Sequence, residues 1–525
     1  VDPADRTAAD EAHAECGRSL GHVGSTSSGA VAGGCGNSDV SGAIRFWQSI
    51  DESVAGGHDE RVTTTAFLHP DRLLPTDPAI RPIARGLYER VATAPILSPH
   101  GHVPPEWIAD DVPFADPAQL FIAGDHYVHR LLHASGVRHE QLGLGGAPAD
   151  PRAVWGLLAE HWHRFAGTAS GYWINDVLGR VFGLEQELSP ATADDAYDRI
   201  AAALLDPGFR PRALLDRFGI EVLATTDDPL DPLDAHRRIA EDPAVRTRVL
   251  PTFRPDAYLD PENPAFVDKV QRLLDGLPVT WAAYLEALAE QRARFIAHGA
   301  VSVDIGVIAP TTLRTDPADA QAILQRALAG EATAQEAARF RAYGLYESAR
   351  QSTEDGLVLT VHTGVRRNHH APTLRAIGPD GGHDIPLAAE YTENLRPLLE
   401  DFGLHPALHL VLFAMDETLF SRELAPLAGF YPSVYIGAPW WFLDAPDSIQ
   451  RFRAATTETA GFYRGSGFID DTRAFLSIPA RHDMARRSDA AYLARLVAEG
   501  RVSLATAERI ADDLVDAVPR TAFKL

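Results

Sequence analysis

Two histidines separated by one glycine close an apolar run in PILSPHGHVPPEW, residues 95–107. A strand repeats every two residues, so His100 and His102 project from one face and aim their rings at one point. Such a pair can grip a divalent metal, because neutral imidazole is a common ligand. A surface strand can end in the same two residues by chance, and with 21 histidines in the chain the remaining sequence has to decide. The two cysteines, Cys16 and Cys35, both lie in the N-terminal segment. They offer neither a disulfide framework nor a thiolate cluster, so a metal here must use imidazole and carboxylate.

Groups of this kind need strands to position them. Short β-rich runs bounded by turn residues are predicted near 96–102, 220–225, 248–253, 300–304, 357–362, 408–414, 433–437 and 467–471. Most are continuously apolar, as strands buried on both faces are. Helical stretches such as AFVDKVQRLLDGL separate nearly all of them. The expected fold is therefore α/β, a distorted TIM (β/α)8 barrel. The gap between the first two runs is too long for one crossover, and its helical patterning predicts a helical subdomain inserted after the first strand, about residues 105–215. Residues 63–104 start the barrel and 216–525 complete it. Residues 1–62 are Gly- and Ser-rich and are expected to be disordered or loosely packed.

In such a barrel, catalytic groups sit at the C-terminal ends of strands. The runs end in His100 and His102, in Asp227 and Asp228, in Arg254, in Asp304, in His362 followed by Arg367, in Trp440 and Trp441, and in Asp471 and Arg473. Each alone has a structural explanation: Asp caps helices, Arg pairs on surfaces and Trp fills cores. Their joint occurrence at strand ends points to a site.

A formal charge of −24 disfavours nucleic acid and anionic membranes as partners. No apolar run approaches the ~18 residues of a membrane span, and no basic-then-apolar leader is present, so a cytoplasmic location is expected. A small anionic substrate remains compatible, held by local arginines in bidentate contacts.

Several motifs together resemble the uronate isomerases, a branch of the amidohydrolase superfamily: PHGHVPPEWIADDVPF, AGDHYVHRLLHASGV, TTDDPLDPLDAHRRIA, PTFRPD, VHTGVRRN, GAPWWF and DDTRAFLSIPARHDMARR. The resemblance runs from about Ala66 to Leu525. It implies aldose–ketose isomerisation of hexuronates, D-glucuronate to D-fructuronate and D-galacturonate to D-tagaturonate; carboxylates and arginines around one metal, in place of a paired-metal clamp, favour proton transfer through a cis-enediol over a hydride shift. It implies one divalent metal on His100, His102 and Asp471, zinc first, with manganese, iron and nickel also suited, and no organic cofactor. Asp471 also matches the proton-shuttling carboxylate, so ligand and base roles compete for it. Arg254, Arg367 and Arg473 match residues that clamp the carboxylate and the developing oxyanion, with Trp440 beside them. His126 and Tyr127 match a pair suited to opening the sugar ring, with Asp304 a further acid/base candidate. His129 and His133 read as surface residues of the same helix. A homo-oligomer is expected from the same resemblance.

The chain departs from the family pattern at the substrate-facing rim. It reads Asp304-Ile305-Gly306 where Asp-His-Gly is common, and Arg367-Asn368-His369 where Arg-Asn-Asn is common. These departures bear on which sugar acid is taken more than on the reaction type. Two alternatives stay open: a metal-dependent hydrolase such as a sugar lactonase, and a sugar-acid binding protein without turnover.

Overall fold

The computed structural model describes residues 67–525, and the N-terminal segment 1–62 lies outside the described residues. The fold is mixed α/β. Parallel strands β1 (Ile96–Ser98), β2 (Ile220–Ala224) and β3 (Arg248–Leu250) form one sheet in that order. Next come β4 (Ser302–Val307) and β5 (Val358–Thr363), then a short antiparallel pair, β6 (Val365–Arg366) and β7 (Ile385–Pro386), then β8 (Leu410–Phe413) and β9 (Val434–Ile436). Strands β4, β5, β8 and β9 form a second parallel sheet in that order. A single parallel bridge, Phe253 to Val303, links the two sheets.

The expected run at 467–471 forms no strand. Its segment instead makes one parallel bridge, Gly465 to Ile436, and the Thr472 carbonyl accepts from the His102 amide at 3.0 Å. Gly465, Ser466 and Gly467 give this stretch little side chain to pack in a sheet. The first strand stops at Ser98 and not at His102, whereas the fourth runs three residues past Asp304.

Burial explains the strand sequences. Every residue of β5 and β8 is buried, as the apolar runs require of strands covered on both faces. Leu359, Val361, Leu410 and Leu412 are fully inaccessible, and each such burial stabilises by roughly 1.5–3 kcal/mol. Local signals set the helix ends. The helix Pro211–Phe218 ends at Gly219, whose φ of 64° turns the chain directly into β2. The helix Ala334–Asp355 opens with a Thr333/Glu336 capping box.

Between β1 and β2 the regular elements are all helices, from Pro105–Asp110 to Pro211–Phe218. Their apolar faces share one core with Ile96, Ile220 and Leu223, and with Phe475 and Met484. A second large core packs the β4–β9 sheet against its own helices. Among the described residues, no helix is long and apolar enough to cross a membrane.

Candidate active site

The groups singled out at the strand ends converge. His102 Nε2 lies 2.8 Å from Asp471 Oδ1, and His100 Nε2 lies 3.3 Å from the same oxygen. The i, i+2 spacing does aim both rings at one point, although neither histidine is within a regular strand. On the other side of His100, its Nε2 is 4.0 Å from Asp304 Oδ2, and the His362 ring stacks on it at 4.8 Å. Asp304 Oδ1 accepts from Thr360 Oγ1 at 2.9 Å and sits 2.7 Å from His362 Nδ1, and Arg254 Nη1 lies 3.0 Å from Asp304 Oδ2.

The donor set suits a divalent cation. His100, His102 and Asp471 form one group able to hold an ion, and His100, Asp304 and His362 form another. Asp471 Oδ1, Asp304 Oδ2 and His362 Nε2 are buried without a hydrogen bond of acceptable geometry. Buried polar atoms are seldom left so, and each of these residues belongs to one of the two groups. Two imidazole nitrogens and one carboxylate oxygen match borderline metals.

Above this floor lies a cavity of about 230 Å³. Its lining includes His102, His126, Tyr127, Arg254, Arg367, Trp440, Asp471 and Arg473, together with Asp380, Trp441 and Arg481. Of the predicted site residues, only His100 and Asp304 do not line it, and both are buried beneath it. Asp227 and Asp228 take no part. Asp227 accepts from Thr225 Oγ1 at 2.7 Å, and Asp228 binds Lys269 and Tyr258, so both are structural.

Charge and burial tune these groups. Burial alone would raise Asp471, but His100 and His102 outweigh it and hold the carboxyl well below the usual range. Asp304 is likewise held down, with Arg254, His362 and His100 overcoming its burial. Burial, and next the charge of Arg473, pushes His126 down to about 3, so the ring is neutral at physiological pH. Burial holds the Tyr127 phenol above its ordinary value, which keeps it a proton donor.

Several cavity residues occupy the left-handed backbone region: Asp471 at φ 39°, Trp441 at 51° and Asp380 at 62°, with neighbouring Asn368 at 54°. Each such non-glycine residue costs on the order of 1–3 kcal/mol, and such strain gathers at functional sites.

Three features escaped the sequence reading. Asp380 lies in the glycine-rich turn GPDGG and pairs with Arg473. Arg481, 1 % exposed, lies 3.6 Å over the Trp173 ring and donates to Asp444 at 2.7 Å, although IPARHDMARR reads as an ordinary basic helix face. His129, expected on the surface, is 2 % exposed, because its face of the helix turns inward. His133 is exposed, as expected.

The chain is similar to known proteins. The glucuronate isomerase family matches residues 66–520. The chain is 50% identical over 469 residues to a uronate isomerase of Corynebacterium efficiens, covering 88% of this chain and 100% of that one. It is 49% identical over 461 residues to a uronate isomerase of Rhizorhabdus wittichii, covering 87% and 98%. The crystal structure of glucuronate isomerase from Caulobacter crescentus superposes with a TM-score of 0.85 at 46% identity, covering 87% of this chain and 97% of that one. That of uronate isomerase from Thermotoga maritima gives 0.82 at 28%, covering 87% and 99%. Motifs, site and extent of the match agree, and the chain belongs to the glucuronate isomerase family.

Proposed function

We propose that this enzyme interconverts hexuronates between aldose and ketose forms, D-glucuronate with D-fructuronate and D-galacturonate with D-tagaturonate. The observation that carries this reading is one cavity bounded by four arginines, a strained carboxylate and a neutral His–Tyr pair. Its volume of about 230 Å³, with about 390 Å³ more in a cavity that shares Arg254, Arg367 and Trp440 with it, leaves room for one sugar acid.

Arg254, Arg367 and Arg473 hold the uronate carboxylate and offset the negative charge that builds on O1 and O2. Tyr127, kept protonated by burial, donates to the ring oxygen, and neutral His126 accepts the anomeric hydroxyl proton, opening the hemiacetal. Asp471 has two oxygens for its two roles. Oδ1 faces the imidazoles, and Oδ2 takes the C2 proton and returns one to C1 on the same face, through a cis-enediol. Asp304 stays ionised and orders His362 and Arg254 beneath the site. His100, His102 and Asp471 would hold a divalent cation, zinc by the character of the donors, which when bound would supply Lewis-acid chemistry.

We read the scaffold as a distorted (β/α)8 barrel with a helical subdomain, about 105–215, inserted after β1. The bridges from Phe253 to Val303 and from Ile436 to Gly465, with the bond between His102 and Thr472, support a closed ring.

Incubation with each sugar in deuterated water, followed by proton NMR of the product, tests the reaction. Ketose bearing deuterium at C1 is expected. Ketose without deuterium would keep the isomerase but favour hydride transfer or a shielded proton. No conversion of either sugar by metal-loaded enzyme would move the assignment to lactone hydrolysis.

A further inference from the structure

Residues 364–387 leave the end of β5 and return, and contribute Arg367 and Asp380 to the cavity lining. The strap is closed at its base by the β6–β7 pair, by the Leu387 amide donating to the Gly364 carbonyl at 2.7 Å, and by the Asn368 amide donating to Asp384 Oδ1 at 2.5 Å. Its tip, Asp380-Gly381-Gly382, rests on the helix His126–Ala134. Gly382 has φ 83°, and a Cβ there would lie 2.8 Å from the His126 carbonyl oxygen and 2.9 Å from Arg130 Cβ and N. Only glycine permits so close an approach in that conformation. The buried His129, on the same helix, makes no hydrogen bond of acceptable geometry through either ring nitrogen. The tip is therefore seated by shape, in a backbone conformation unfavourable for Asp380 itself.

That seating brings Asp380 Oδ2 to 2.9 Å from Arg473 Nη1. Among the described residues this is the only hydrogen bond to the Arg473 side chain, so its remaining donors are free for the cavity that both residues line. Both side chains are more than a third exposed, at 39% and 36%. A pair so exposed contributes little to stability, so its importance lies in orientation.

We propose that Asp380 is a positioning residue: the strap 364–387 delivers its carboxylate to Arg473 and fixes the guanidinium in the direction in which charge develops during isomerisation. The catalytic part of this inference rests on the uronate isomerase reading. The ordering of Arg473 does not.

Two measurements on the full-length, metal-loaded enzyme test it: steady-state kinetics with D-glucuronate, and 15N NMR of the arginine side chains, with the Arg473 signals assigned by their loss in Arg473→Lys. In Asp380→Asn, kcat is expected to fall ~10- to 100-fold, the range for a mis-set transition-state donor, with KM changed less than about threefold and Tm unchanged. Asp380→Glu is expected to recover part of kcat. Gly382→Ala, which lifts the tip while keeping the carboxylate, should lower kcat in the same direction. The Nη signals of Arg473, slowed in the parent, should collapse in both Asp380→Asn and Gly382→Ala. Parent-like kcat in Asp380→Asn, or a loss that only follows a fall in Tm, would overturn the proposal. So would Arg473 signals unchanged by either variant. If the parent itself converts no hexuronate, the functional reading fails, and the Arg473 signals still decide whether the strap orders this side chain.

Discussion

His362 Nδ1 lies 2.7 Å from Asp304 Oδ1, and both residues are buried beneath the cavity, where the same carboxylate also meets Arg254. Asp304 thus serves two partners at once, and its ionisation is held by both. Asp304→Asn keeps the shape but leaves Arg254 paired with Asp256 alone, at 2.9 Å. The expected loss is about 3 kcal/mol, the low end for breaking a buried pair, since Arg254 retains Asp256 and part of its hydration. Urea unfolding at pH 7 measures it. A loss below about 1 kcal/mol would show that Asp304 carries no such charge.

A second buried carboxylate makes stability depend on pH, away from the site. Asp483 accepts from Arg72 Nη2 at 2.9 Å and from Arg487 Nε at 2.8 Å, and is 5 % exposed. Burial pushes its pKa up, but Arg72, Arg180 and Arg487 outweigh this and hold it below the model-compound value of 3.8. A depressed carboxylate contributes stability that is present above its unfolded pKa and lost as pH falls through its folded one. Asp483→Asn should therefore cost about 3–5 kcal/mol at pH 7, a deficit that narrows once the pH falls below about 4. Unfolding curves of parent and variant across that range check both the size and the slope.

What was legible in the sequence follows from where the physics is local. Continuous apolar runs mark strands β1–β5, β8 and β9, because burial on both faces leaves a mark within a few residues. The i, i+2 histidines were readable for the same reason. The pair β6–β7 was not, since Val365–Arg366 and Ile385–Pro386 are too short to show a period. The run at 467–471 was read as a strand from its apolar character, yet the glycines before it leave only a bridge at Gly465. Asp380 and Arg481 depend on contacts far along the chain, with Arg473 and with Asp444, which no local pattern encodes. His129 was misjudged because the spacing along a helix does not say which face another element covers.

His126 gives a spectroscopic test of the cavity's electrostatics. Burial and then Arg473 push it down to about 3, so its ring signals should stay flat between about pH 5 and pH 8, where an ordinary histidine titrates. Arg473→Gln removes the nearby cation and should move the transition upward. A His126 titration near 6.5 in the parent would contradict a neutral role in ring opening.

Asp471 offers a test that separates metal binding from folding. It holds φ 39°, a conformation that glycine adopts at no steric cost, and its Oδ1 is the oxygen nearest both histidines. Asp471→Gly therefore relieves backbone strain while removing the carboxylate ligand. Freed of metal by a chelator, parent and variant should agree in stability within about 1 kcal/mol, because relieved strain offsets the lost contacts with the imidazoles. Zinc should then separate them. At a hundredfold excess over Kd, a bound ion stabilises the parent by about 2.7 kcal/mol, read as a rise in Tm, and leaves the variant unmoved. Equal rises in both would place the ion on the other group, His100, Asp304 and His362, and His362→Ala would then be the variant that loses the response.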